Sequence, residues 1–144
     1  MMKKVLLITV LALAVLCAAC AADQGEGPIL TGDATTVTQV KVFYLGEGKL
    51  AFDAEKDSEQ INKLVEQLNK ISTAASTEPM DGEAFTQPKY IIDVVYADGS
   101  IDEIYSNENG DFFFRIIDAD DNYFGGENSK INNILEDYKQ YIEK

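Results

Sequence analysis

The chain has 144 residues, with 25 acidic against 12 basic side chains, a formal charge of −13, and neither histidine nor tryptophan. Without histidine there is no Ser-His or Cys-His nucleophile, no imidazole base and no His-ligated metal, and a chain this acidic has no counterion-release drive toward DNA or RNA. Both cysteines, Cys17 and Cys20, stand near the N-terminus, so the rest of the chain carries no disulfide, no thiolate nucleophile and no zinc-thiolate site, and must hold together by packing.

The chain begins Met1-Met2-Lys3-Lys4, continues as the uncharged run Val5 to Leu16, and reaches Cys17-Ala18-Ala19-Cys20. A positive start, an apolar middle and small residues before a cut are the pattern of a secretory signal. Leu16 to Cys20 also resembles a bacterial lipobox. Ala18 and Ala19 fit the small positions before the cysteine, whereas Cys17 stands where that motif carries Leu, Val or Ile. The resemblance implies a signal peptide over 1–19, a diacylglyceryl thioether on Cys20, and a chain held on the outer face of the cell membrane. Each buried methylene contributes about 0.8 kcal/mol, so two acyl chains anchor stably where one does so marginally. Two other readings stay open: Val5 to Ala22 is long enough for an uncleaved spanning helix, and a cut near Ala21 or Ala22 would release a secreted domain. Loss of residues 1–19 removes Lys3 and Lys4 but no acid, leaving a charge of −15.

Residues 20–36 follow as the lipidated cysteine and a Gly-, acid- and Thr-rich tether, expected to be flexible, with Ile29 and Leu30 able to dock locally. A single domain is expected over 37–144. Val37 to Leu45 reads as a strand, Gly46-Glu47-Gly48 as a turn, and Lys49 to Phe52 as a short return strand. Asp57 and Gln60 have capping-box spacing, and Ile61, Leu64, Val65, Leu68 and Ile71 recur at helical period, predicting an amphipathic helix facing a core. Ser72 to Pro88 shows neither period and reads as a long connection.

Three apolar runs follow, Tyr90–Tyr96, Ile101–Tyr105 and Phe112–Ile117, joined by Asp98-Gly99 and Asn109-Gly110. Both dipeptides supply the positive φ angles of tight hairpins, so the segment predicts a three-stranded antiparallel meander. Two-residue turns centred on these pairs set Ile92 opposite Tyr105 and Tyr105 opposite Phe114, with Val94, Glu103 and Ile116 in the next rung. Arg115, the only arginine, is then expected across the sheet from Asp93 and diagonal to Asp102. The other face of this register carries Ile91, Val95, Ile104 and Phe113, with Ile117 beyond. If two helices cover one side, these five form a candidate interaction surface, unless Ser72 to Pro88 or the first strand covers them.

Asp118, Asp120 and Asn122 occupy positions 1, 3 and 5 of a calcium-loop pattern, but Tyr123 replaces the turn glycine and Ser129 the final glutamate. They make a weak metal candidate and no cofactor is expected. Tyr123-Phe124 reads as a last short strand or a hydrophobic latch. Ile131, Ile134, Leu135, Tyr138 and Ile142 predict a closing helix after Asn128-Ser129. The class is α+β: an antiparallel sheet of about five strands with two amphipathic helices, in the order β-β-α-β-β-β-α.

Leu68-Asn69, Tyr96-Ala-Asp-Gly-Ser100, Phe112–Phe114 and Tyr138 with Tyr141 are similar to features of small, mostly uncharacterised lipoproteins of Gram-positive bacteria. That resemblance spans about Lys49 to Lys144 and implies a scaffold without an activity. The first functional expectation is therefore a non-catalytic binding or interaction module, anchored in the membrane through lipid and contacting an envelope protein or a wall component. No residue is assigned as catalytic. The alternative is a carboxylate-based wall hydrolase, with Glu103 as the acid whose apolar setting would raise its pKa; such chemistry needs a second carboxylate at about 5 to 10 Å.

Overall fold

The computed structural model describes residues 26–71, 73–76, 87–119 and 122–142. Its frame is one antiparallel sheet with two helices, as the apolar periodicities require. The strands are β1 (Glu26–Gly27), β2 (Val37–Tyr44), β3 (Gly48–Asp53), β4 (Thr73–Ser76), β5 (Tyr90–Tyr96), β6 (Ile101–Ser106), β7 (Phe112–Ile116) and β8 (Tyr123–Glu127); the helices are α1 (Ser58–Asn69) and α2 (Ser129–Tyr138). Across the sheet the strands run β1-β4-β8-β7-β6-β5-β2-β3. The predicted order holds, and three strands join it: β8, which contains Tyr123-Phe124, β4 inside the segment read as a connection, and the short β1.

Alternation along β2 and β5 sends Val40, Val42, Tyr44, Tyr90, Ile92, Val94 and Tyr96 to one face, where they are buried against Ile61, Leu64, Val65 and Leu68 of α1 and Ile131, Ile134, Leu135 and Tyr138 of α2. Polar contacts lock the helices onto the sheet. The Tyr44 hydroxyl donates to the Leu135 carbonyl at 2.6 Å, and the Asn128 side-chain Nδ2 donates to the Gln67 carbonyl at 2.9 Å. Asn128 also caps α2 by accepting from the Lys130 amide at 3.1 Å. Asp57 takes another route: its carboxylate accepts from the Asp53 amide at 3.0 Å and makes no bond to the first turn of α1.

The segment expected as a flexible tether is, over Pro28–Thr36, part of the body. Ile29 and Leu30 are 0% and 3% exposed and belong to the core, and Ala34–Thr36 form a 3-10 turn capped by Asp33. Burial of two such side chains contributes about 1.5 to 3 kcal/mol each, which offsets part of the roughly 1 to 2 kcal/mol per residue that ordering the strap costs. Residues 1–25, with Cys17 and Cys20, lie outside the described residues, as do 77–86, so covering of the sheet by that part of Ser72 to Pro88 lies there too.

The meander differs from its expected register by one residue. Ile91 faces Tyr105, Ile92 faces Ile104, Asp93 faces Glu103 and Val94 faces Asp102. The hairpin loop has three residues, Ala97-Asp98-Gly99: the Tyr96 amide donates to the Ser100 carbonyl at 3.0 Å and the Gly99 amide to the Tyr96 carbonyl at 3.0 Å. Gly99, at φ 85°, takes the left-handed position that closes such a loop, and Asp98 accepts from the Ser100 amide at 2.9 Å. A one-residue slip exchanges the faces of a whole strand. The expected pairing of Tyr105 with Phe114 holds.

Candidate functional site

The slip decides which side chains meet. Val42, Ile92 and Ile104 share the helix side, while Lys41, Asp93 and Glu103 share the outer side in direct register. The β6–β7 ladder has only two pairs, Tyr105 with Phe114 and Ser106 with Phe113. Beyond them β6 runs on to Ile101 and β7 to Ile116 without pairing to each other. The sheet therefore opens there, into a cleft of about 440 Å³ lined by Thr31, Ile101, Asp102, Glu103, Tyr105, Arg115 and Ile116.

The strap forms one wall of this cleft and Asp102 holds it. The Asp102 carboxylate, 4% exposed, accepts from the Thr31 amide at 2.6 Å, the Thr31 hydroxyl at 2.7 Å and the Tyr96 hydroxyl at 2.6 Å. Burial, then the hydrogen bond to Asp102, pushes the Tyr96 hydroxyl well above the usual tyrosine range. Gly32 lies flat on the Tyr96 ring, where an added Cβ would sit 2.5 Å from ring carbons. Arg115 Nε donates to the Ile29 carbonyl at 3.0 Å and its guanidinium stands 6.0 Å from the Phe124 ring centre. Arg115 therefore does not face Asp93 as expected: it is on the helix side and ties strap to β7. Ile101 is 56% exposed at the cleft mouth.

The outer face carries rings across the β6–β7 junction and onto β8. Tyr105 stacks on Phe114 at 5.6 Å between ring centres, and Tyr123 meets Phe114 at 5.8 Å and Phe112 at 6.2 Å, both edge-on. The five residues expected on one interaction surface are dispersed by the register. Ile104 and Phe113 are fully buried under the helices and strap, Ile91 and Val95 are half-buried on the outer face, and Ile117 is 46% exposed past the end of β7. The surface that exists is instead built from Tyr105, Phe112, Ile116 and Tyr123, all half-buried. Their alternation and aromatic content were legible; the three-residue loop that sets their side was not.

Glu103 is exposed, and accepts a hydrogen bond from the Tyr105 hydroxyl, which burial and this carboxylate push up to about 12. Two acids stand near it. Asp102 lines the same cleft, but neighbours on a strand point to opposite faces, and its oxygens are taken by the strap. Asp93 faces Glu103 directly, with Lys41 on its other side. One oxygen of Asp93 is buried without a hydrogen-bond partner, and burial first, Glu103 second, raise its pKa against the pull of Lys41. The carboxylate in register with Glu103 is thus Asp93, on the outer face of β5.

The calcium-loop candidate resolves in part. The Asn122 side-chain amide donates to Asp118 at 2.7 Å and its backbone amide donates at 3.2 Å, so this carboxylate is turned onto the loop; Asp120 lies outside the described residues. Among the described residues, no group of three or more potential ligands is placed to hold a metal ion.

A second polar cluster sits where α2 crosses the sheet. Glu136 accepts from the Tyr90 hydroxyl and pairs with Lys89 and Lys139, each at 3.1 Å. The Tyr90 bond, then the two lysines, bring its pKa down to about 2 despite partial desolvation. This cluster fastens helix to sheet.

Fold and cleft together define an open antiparallel α+β domain with a strap-walled opening in its sheet. No protein-family model matches the chain, and no curated protein and no solved structure is significantly similar to it.

Proposed function

We propose that this chain is an extracytoplasmic lipoprotein, anchored through Cys20, whose body is a non-catalytic module that binds an envelope protein or a wall component at the β6–β7 opening. The observation that carries the binding role is the opening itself. A sheet that unpairs between two long strands leaves backbone groups and apolar side chains available to a ligand, and here Ile101, Tyr105 and Ile116 adjoin the Arg115 guanidinium and the Thr31 strap. The location rests on the resemblance of Leu16–Cys20 to a lipobox. Pairing of Glu26 and Gly27 with β4 gives that anchor a mechanical consequence: at about 3.3 to 3.6 Å per residue, the leash from Cys20 to the body spans at most about 22 Å.

Affinity capture from native envelopes with the anchored chain tests the role. Wild type is expected to enrich a protein or wall fragment that an Ile101→Asp, Arg115→Ala variant does not; equal recovery by both contradicts the cleft as the site. A second reading, a carboxylate-based wall hydrolase, is favoured by the Asp93–Glu103 opposition and the raised Asp93 pKa. It predicts release of soluble sugar fragments from purified walls, abolished by Glu103→Gln. The cleft is lined by Glu103 but not by Asp93, which supports this reading less than it supports binding.

A further inference from the structure

Resting on the reading of the β6–β7 opening as the binding site, we propose that its occupant is an extended segment of a partner protein, lying along β6 as an added strand with a lysine or arginine opposite Glu103. The backbone of both walls fits a strand. The Tyr96 amide donates to the Ser100 carbonyl at 3.0 Å, so Ser100, Asp102 and Ile104 turn their backbone groups toward β5, and Ile101 and Glu103 turn theirs toward β7. On the other wall the Ile117 amide donates to the Asn122 carbonyl at 2.8 Å, so Arg115 turns its backbone groups to β8 and Ile116 turns its own toward β6. The β6–β7 ladder stops at Tyr105–Phe114, and the N–H and C=O groups of Ile101, Glu103 and Ile116 border the opening beyond it without a ladder partner. A sugar offers no matching line of alternating donors and acceptors; an extended peptide does.

The side chains set the charge of the occupant. Lys41, Asp93 and Glu103 form one cross-strand row on the outer face. Asp93 has Lys41 on one side, whereas Glu103 has Asp93 on one side and the opening on the other. The hydrogen bond from the Tyr105 hydroxyl leaves the charge of Glu103 in place, so the row holds two carboxylates against one cation. The residue of an added strand that faces Glu103 continues this row, where a basic side chain balances it and an acidic one would be the third carboxylate. Its two neighbours point to the opposite face, toward Thr31 and the Arg115 guanidinium, which disfavours further basic residues there. The occupant is thus a strand with one cation between uncharged neighbours, steered by the attraction of a chain of formal charge −13.

Titration of the full chain in detergent micelles with the peptide acetyl-Thr-Val-Thr-Lys-Thr-Val-Thr-amide, followed by heteronuclear NMR, tests this. The amides of Ile101, Glu103 and Ile116 are expected to shift. A peptide with glutamate in place of the lysine is expected to bind roughly five- to tenfold more weakly, and one N-methylated at the lysine, which removes the N–H facing Glu103, to lose binding. Glu103→Lys, at an exposed position, is expected to reverse the order of the lysine and glutamate peptides, and Glu103→Gln to remove the difference. Equal affinity of wild type for the lysine and glutamate peptides, affinity unchanged by N-methylation, or failure of every peptide to shift these amides overturns the proposal. Envelope capture separates that failure from failure of the site: capture that still depends on Ile101 and Arg115 would leave the opening with a ligand of another class, such as a glycan, whereas capture independent of them removes both readings.

Discussion

Replacing Asp102 with alanine removes the group that fastens the strap to the sheet. Three hydrogen bonds of 2.6 to 2.7 Å end on its carboxylate, and hydrogen bonds to a charged acceptor are worth about 1.5 to 3 kcal/mol each. Because the three share one acceptor they do not add in full, and the Thr31 amide and Tyr96 hydroxyl are left without a partner. A loss of about 3 to 5 kcal/mol is expected, a large part of the roughly 5 to 15 kcal/mol that holds a domain of this size. Urea unfolding of wild type and variant, followed by tyrosine fluorescence, measures it. Hydrogen exchange gives the local readout: the Thr31 and Thr36 amides, hydrogen-bonded in wild type, are expected to exchange far faster in the variant. A cost below about 1 kcal/mol with the strap still protected would refute the reasoning, because Ile29 and Leu30 would then hold the strap without Asp102.

Asp93→Asn removes a partly desolvated charge that faces Glu103, and is expected to raise stability at pH 7 by about 0.2 to 1 kcal/mol; a lowered urea midpoint would contradict the opposed register. The raised Asp93 pKa means that its protonation favours the folded state, so this variant's advantage should vanish as the pH falls below the ordinary aspartate value. Glu136 acts in the opposite sense. With a folded pKa of about 2 against 4.5, its contribution is full above pH 4.5 and lost as the pH falls toward 2, and Tyr90→Phe should reduce that acid dependence in thermal melts. Burial raises Tyr44, Tyr90 and Tyr96 above the usual value of 10. Their stabilisation is whole below pH 10 and declines as the unfolded chain ionises above it, so urea midpoints should drop steeply between about pH 10 and 12. Gly32→Ala should cost about 1 to 3 kcal/mol, since its Cβ would meet the Tyr96 ring at 2.5 Å.

Helices and long strands were legible because their periodicity is a property of consecutive residues. Ile61, Leu64, Val65 and Leu68 mark a buried stripe whatever they pack on, and the four of them are buried. Register across the Asp98-Gly99 turn was not legible, because the same dipeptide serves two- and three-residue loops, and the choice moved Ile104 into the core and Glu103 opposite Asp93. The strap escaped for a related reason: Ile29 and Leu30 lie in a segment of tether-like composition, and what holds them is Asp102, 71 residues beyond Thr31. The cleft follows from both. It exists because β6 and β7 separate where the strap enters, and no local pattern encodes the end of a ladder.

The proposed location of this body is the outer face of the membrane, on a short leash from Cys20. The intact mass of the polypeptide purified from the membrane fraction of its native cells tests that most directly. The predicted mass is that of a chain beginning at Cys20 and carrying a diacylglyceryl group; a chain that retains Met1, or one with an unmodified Cys20, contradicts it.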